Sequence, residues 1–223
     1  MAVPWNRDRQ GPRKNLWRMN RIRWTKVLVF ALCLVPFLLL IKDWRGDSLG
    51  PNPVEKITHT TGDWTIYLLL ITLSVTPLRK IFNLPSLIRF RRMLGLFAFF
   101  YGCLHLMTYV WLDQSFDWPA LWKDLYKRPF ITAGFAGWLL MLPLALTSTA
   151  WSIRKLGGKN WQLLHRLIYF SALAGVIHYY WLVKSDVRRP LLFGAILLLL
   201  MLYRSVIWLR PKPKTKLAAD KRG

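Results

Sequence analysis

Four histidines stand in this chain, at positions 59, 105, 165 and 178. Imidazole binds metals through a neutral ring nitrogen, shuttles protons near neutral pH and hydrogen-bonds across helices. His165 and His178 bracket the stretch LHRLIYFSALAGVIHY, thirteen residues apart in an apolar run. His105 lies in an equally apolar run, GLFAFFYGCLHLMTY. Ionisable groups in such surroundings are costly, and by default they mark function. The bland reading is a neutral imidazole that hydrogen-bonds one helix to another. His59, between Thr58 and Thr60, reads as a solvated loop residue.

The acids narrow the chemistry. Proton pumps and cation carriers place carboxylates at mid-membrane, and here all ten acids are expected in loops or tails. Neutral imidazole in an apolar setting suits an iron porphyrin, which takes axial histidine ligands between greasy walls. A histidine-based transporter or metal-binding membrane protein is the alternative from another class. The two cysteines, Cys33 and Cys103, form no CxxC or Cys/His metal spacing and read as small buried hydrophobes.

The elements that must hold these residues follow from composition. The chain has 223 residues, 54% of them hydrophobic, yet a formal net charge of +23. Long apolar runs separate the basic residues, which argues for a membrane protein and against nucleic acid as a partner. The first apolar run ends in KDW rather than at a small-residue cleavage site, so it reads as an anchor, not a signal peptide. A spanning helix needs about 20 apolar residues. Six runs qualify, near 25–41, 64–82, 93–112, 130–149, 163–183 and 190–209. Pro36, Pro77 and Pro143 fall within spans one, two and four, where kinks are tolerated.

Charge orients the spans. The N-terminal tail, the segments 79–92 and 149–166, and the tail from 204 hold 24 of the 33 Lys and Arg and net +22. The remaining loops, 42–63, 113–129 and 184–189, net +1. The positive-inside rule then predicts an all-α six-transmembrane-helix bundle with both termini cytoplasmic. Residues 1–24 and 211–223 are expected as basic cytoplasmic tails flanking a membrane domain at 25–210. Trp24, Trp64, Trp111, Tyr179, Tyr180 and Trp181 fall at the expected boundaries, as an interfacial belt does.

Depth then sorts the histidines. At 1.5 Å per residue, His105 lies about 18 Å along the third span and His178 about 22 Å along the fifth, both towards the outer side. They are placed to ligate one haem between them. His165 lies near the cytoplasmic side, about 19.5 Å from His178, with no histidine of the third span at its level. A second haem there lacks a matching partner. On an ideal helix His165 and His178 point about 140° apart, so a shared interior requires a bent or rewound helix. Ala172, Ala174 and Gly175 between them permit bending and the close approach of a flat ring. Arg91 stands fourteen residues before His105 on nearly the same helix face. It reads as a boundary anchor together with Arg92; its functional reading is contact with a haem propionate or a flavin phosphate.

The segments TPLRK at 76–80, RRMLGLFAFFYGCLHLMTY at 91–109 and LGGKNWQLLHRLIYFSALAGVIHYYWLVK at 156–184 resemble the ferric-reductase-like transmembrane family. Within it they look most like the haem-binding subunits of bacterial methionine sulfoxide reductase systems, over roughly residues 25–210. The resemblance implies a multi-pass b-type cytochrome of the inner membrane with one or two haem b groups and flavin mononucleotide (FMN). It implies electrons taken from quinol in the membrane and handed to an MsrP-like periplasmic molybdopterin reductase, which repairs oxidised methionine in periplasmic proteins. By motif, His105, His165 and His178 match the family's haem-ligand histidines. Arg91 occupies the position of a second helix-three histidine in the larger reductases. The cytoplasmic flavin and nicotinamide domain of those relatives has no counterpart here, so the expected chain is an electron carrier whose substrate is reduced in the partner.

Overall fold

The computed structural model describes residues 12–209. The chain is an α-helical bundle: α1 (Pro12–Arg45), α2 (Pro53–Ile81), α3 (Ile88–Met107), α4 (Trp118–Lys127), α5 (Pro129–Leu146), α6 (Ala150–Leu156), α7 (Gly158–Leu164), α8 (Leu167–Leu182) and α9 (Arg188–Leu209). A π-helical turn, Thr108–Asp113, continues α3. No strand occurs among the described residues.

Helix starts follow local chemistry. Asn52 caps α2 by accepting the Glu55 amide, with Pro53 at the first helical position. Asp117 caps α4 through the Ala120 amide, and Thr149 caps α6 through the Ser152 amide. Gly157, at φ +73°, separates α6 from α7 in a conformation that a side chain disfavours.

Five segments are long and apolar enough to cross a membrane: Ile22–Arg45, Pro53–Ile81, Pro85–Asp113, Pro129–Leu146 and Arg188–Ile207. The bundle faces outward with bare hydrocarbon, as at Leu28, Phe170 and Leu199 (58%, 61% and 66% exposed). In water such a surface is an aggregation site; in lipid it is solvated. The chain is therefore a transmembrane helical bundle.

Several expected boundaries move. Residues 12–24, expected as tail, already belong to α1, while the expected tail positions 1–11 and 211–223 lie outside the described residues. The expected loops 42–63 and 113–129 contain the first turns of α2 and the whole of α4, because caps at Asn52 and Asp117 start helices where polar composition suggested coil. Glu55 and Asp63, expected in a loop, thus lie on α2, and Asp63 pairs with Arg189 at 3.6 Å. The expected fifth span, 163–183, is not one helix. It breaks at His165–Arg166, leaving α8 with 16 residues, shorter than the other spans.

Two packing units position what matters for function. α2 and α3 pack along most of their length, as do α5 and α8. The α2–α3 register can be read from small residues. Gly62 lies against His105, Gly102 against Thr65 and Gly95 against Thr72. On the other unit, Gly137 meets Ala174 and the Ser171 carbonyl, and Ser171 Oγ donates to the Gly137 carbonyl at 2.8 Å. The small residues of α8 thus serve its close approach to α5.

A proline within a helix leaves a carbonyl without its usual donor; near Pro36 and at Pro77 a side chain from another helix bonds the backbone. Near Pro36, Tyr101 Oη donates to the Cys33 carbonyl at 2.7 Å and accepts the Phe37 amide at 3.2 Å. The tyrosine is fully buried and bridges what would be the ordinary Phe37–Cys33 helical bond. Pro77 cannot donate to the Leu73 carbonyl, and Arg204 of α9 donates to that oxygen at 2.7 Å. Both cysteines are free; Cys33 is buried and Cys103 receives a hydrogen bond from Trp138 Nε1 at 3.4 Å.

Candidate functional site

The structure brings His105 and His178 together. Their ring centroids are 5.9 Å apart and the planes are nearly perpendicular. Equal depth, inferred from spacing alone, was a necessary condition; the packing of α3 and α8 around α5 and α2 makes it a contact.

Each ring is held from behind by a backbone carbonyl. His105 Nδ1 lies 2.9 Å from the Thr58 carbonyl of α2. His178 Nδ1 lies 2.6 Å from the Phe130 carbonyl of α5. A carbonyl only accepts, so Nδ1 carries the proton in both rings and Nε2 keeps its lone pair. That is the tautomer in which imidazole ligates a metal through Nε2 while its other nitrogen is oriented by a hydrogen bond.

Glycines make room for both rings. A Cβ on Gly134 would stand 2.7 Å from His178 Nδ1, and one on Gly62 would stand 3.1 Å from His105 Cε1 and Nδ1. Gly134 and Gly62 were not singled out from the sequence, nor were Thr58 and Phe130. Gly134 stands in an apolar run, FITAGFAG, whereas Gly62 stands between Thr61 and Asp63; which ring each faces depends on the register between helices. The π turn begins three residues after His105, and such turns often occur at functional sites.

His165 belongs elsewhere. It stacks on Trp161 at 3.8 Å between centroids, and its Nδ1 lies 3.0 Å from the Trp161 carbonyl. Trp161 Nε1 in turn donates to the Thr147 carbonyl at the end of α5, at 2.9 Å. The chain is rewound at His165–Arg166, so the 140° offset of an ideal helix does not apply. Arg91 is half-buried and within electrostatic reach of His165, Arg204 and Tyr169. His59 is exposed, as expected, but it lies on α2 with Nε2 4.0 Å from Glu55.

A cavity of about 560 Å³ opens on the side of the bundle between α1, α2 and α3, lined by Cys33, Pro36, Leu40, Trp64, Leu68 and Leu94 among others. It includes none of the three spanning histidines. Among the described residues no three His, Cys, Asp or Glu side chains gather as a metal site.

The donor chemistry of His105 and His178 fits a haem iron: two neutral imidazoles, free Nε2 atoms, carbonyl-fixed orientations and apolar surroundings. A bundle of apolar spans enclosing an imidazole pair defines a polytopic helical membrane protein with two histidines in contact inside it.

Comparison with known proteins agrees with that class. The family described as ferric reductase like transmembrane component matches residues 29–176. A protein-methionine-sulfoxide reductase heme-binding subunit MsrQ from Herminiimonas arsenicoxydans is 50% identical over 185 residues, 82% of this chain and 84% of its own. The MsrQ subunit of Rhodospirillum rubrum is 48% identical over 187 residues (84% and 90%), and that of Azospira oryzae is 51% identical over 182 (81% and 78%). The chain belongs to the ferric reductase like transmembrane family, in the branch that holds the MsrQ subunits.

Proposed function

We propose that this protein is a membrane b-type cytochrome that carries electrons across the inner membrane to an MsrP-like periplasmic molybdopterin methionine sulfoxide reductase. The observation that carries the reading is the His105–His178 pair, 5.9 Å apart with both Nδ1 atoms committed to carbonyls. The names of the MsrQ relatives, which bind heme and belong to a methionine-sulfoxide reductase, support it.

In this reading His105 and His178 would hold the haem iron, each through Nε2. A haem supplies reversible one-electron chemistry; the protein supplies orientation, apolar walls and the electrostatic setting. The Thr58 and Phe130 carbonyls hold each imidazole against rotation and raise its basicity as a ligand. The glycines at 62 and 134 let the helices close to the distance at which those bonds form. His165, with its free Nε2 and its stack on Trp161, is the ligand of a second, inner haem if one binds.

Family resemblance adds FMN as a further cofactor and quinol as the donor. α8 counts as the sixth span, and both termini lie on the cytoplasmic side. The charge asymmetry supports this orientation: among the described residues every acid falls within 42–63, 113–129 or 184–189, the segments assigned outward. α4 then lies on the periplasmic face, with Trp118, Trp122 and Tyr126 exposed along one side at four-residue spacing. It is the surface we assign to docking of the reductase.

The test is the optical spectrum of the purified full chain. A Soret band lost or strongly shifted in both His105→Ala and His178→Ala supports the ligand assignment. Full haem content with an unchanged spectrum in either variant overturns it.

A further inference from the structure

One carboxylate ties α4 to the rest of the bundle. Asp124 Oδ2 accepts a hydrogen bond from Tyr109 Oη at 2.9 Å, and Asp124 Oδ1 lies 3.2 Å from Arg128 Nε. Its side chain is only 14% exposed, less than that of any other acid in the ion pairs among the described residues. An exposed surface pair contributes little, but this carboxylate is largely covered and has both oxygens committed to charge-assisted contacts. It stands with Ala120, Leu121 and Leu125 on the half-buried side of α4, turned away from Trp118, Trp122 and Tyr126.

The two partners lead to the two histidines. Tyr109 stands four residues after His105, and the Thr108 amide between them donates to the His105 carbonyl. The π turn thus begins on that histidine's own backbone. Such turns are rare, and the Tyr109–Asp124 bond fixes this one against α4. On the other side, Arg128 alone joins α4 to α5. It closes α4, its amide donating to the Asp124 carbonyl at 2.9 Å, and it precedes the first residue of α5. Pro129 confines Arg128 to extended backbone, at φ −114° and ψ 96°, so the joint is stiff. Thr132 Oγ1 of α5 donates back to the Leu125 carbonyl of α4. Phe130, two residues after Arg128, supplies the carbonyl that holds His178 Nδ1 at 2.6 Å. A displacement of α4 is therefore passed on to the support of His178 as well as to the helix that carries His105.

We propose that Asp124 is a positioning residue for the histidine pair, holding α4 so that the His105 and His178 imidazoles keep a fixed mutual orientation. The inference rests on the reading of those two histidines as haem ligands. Asp124 acts on His105 through Tyr109 and the π turn, and on His178 through the Arg128–Pro129 joint and the Phe130 carbonyl. The Thr58 and Phe130 carbonyls each orient one ring. Asp124 bonds both the segment that follows His105 and the segment that precedes Phe130, so it relates one ring to the other.

The test uses the full chain in nanodiscs with haem b. It reads the electron paramagnetic resonance of the ferric haem, which responds to the angle between two axial imidazoles, and haem affinity from a Soret titration. Asp124→Ala should shift the resonance and weaken haem binding by less than about tenfold, since a partner bonded directly to a ligand is worth about 10–100-fold and Asp124 acts further out. Tyr109→Phe and Arg128→Gln each remove one link and should each give a smaller shift. Asp124→Asn keeps an acceptor for Tyr109 and loses the ion pair, so it should match Arg128→Gln. Tyr109→Phe should add nothing in the Asp124→Ala background, because both remove the same bond. A residue that only stabilises the fold lowers thermal stability and leaves the resonance where it is in wild type. That outcome in Asp124→Ala overturns the proposal, as does full additivity of Tyr109→Phe with Asp124→Ala. If Asp124→Ala loses its helical fold by circular dichroism, the single-link variants decide: a shift in either supports the proposal, and wild-type resonances in both overturn it. Lys123→Ala, at an exposed position of the same helix, is the control and should match wild type. A wild-type chain that takes up no haem refutes the cytochrome reading and this inference with it. Haem bound by wild type, with unshifted resonances in the Asp124 variants, refutes this inference alone.

Discussion

Replacing Gly134 with alanine tests whether His178 is held as a ligand. The new Cβ would stand 2.7 Å from Nδ1, 3.0 Å from Cε1 and 3.1 Å from Cγ, whereas ordinary contact begins at 3.4 Å. The imidazole must therefore retreat by about 0.7 Å or α8 must move away from α5. A retreat along the Nδ1–Phe130 bond stretches it from 2.6 Å to about 3.3 Å, past the usual N–H···O range. Losing that bond leaves a buried donor and a buried carbonyl unpaired, at about 1–3 kcal/mol. For a metal-bound histidine, loss of the orienting partner costs about 10–100-fold in affinity. The assay is haem titration of purified protein followed at the Soret band, with circular dichroism to confirm the helical fold. Gly62→Ala, whose Cβ comes only to 3.1 Å from His105, should have a smaller effect. Gly175→Ala, with nothing within 4 Å, should bind as wild type does. Wild-type affinity and spectrum in Gly134→Ala would refute the claim that this glycine and the Phe130 carbonyl set the ligand geometry.

Other consequences follow from the same contacts. Tyr101→Phe removes the hydroxyl that bridges Cys33 and Phe37 near Pro36, and should lower stability by about 1–3 kcal/mol in thermal or denaturant unfolding. Trp161→Ala removes both the ring stacked on His165 and the bond to the Thr147 carbonyl. If His165 ligates an inner haem, the haem-to-protein ratio should fall while the His105–His178 signature persists; an unchanged ratio removes His165 from the ligand set. Alanine at Trp118, Trp122 and Tyr126 together should slow electron delivery to the periplasmic reductase with haem content intact. Unchanged reduction kinetics would move the docking surface away from α4.

Much of this architecture was legible in the chain. Apolar runs of membrane-spanning length forced helices, since no other structure satisfies the backbone in lipid. Rise per residue placed His105 and His178 at one depth, and the structure brings their rings together. The span at 163–183 was misread as continuous because apolar composition carries no mark of the break at His165–Arg166. The loops were misread where Asn52 and Asp117 cap helices, since polar residues suit a cap as well as a coil.

What sequence spacing determines is position along a helix axis; what it leaves open is the azimuth and the neighbour. The carbonyl that Pro77 leaves free can be deduced from the order of residues, since proline lacks an N–H. That Arg204, 131 positions away, takes it was decided by the packing of α9 against α2. The same holds for the glycines opposite the histidines. Gly62 and Gly134 are legible as gaps, but only the α2–α3 and α5–α8 registers turn those gaps into seats for two imidazoles. Register is a property of two surfaces fitting together, and no single helix carries it.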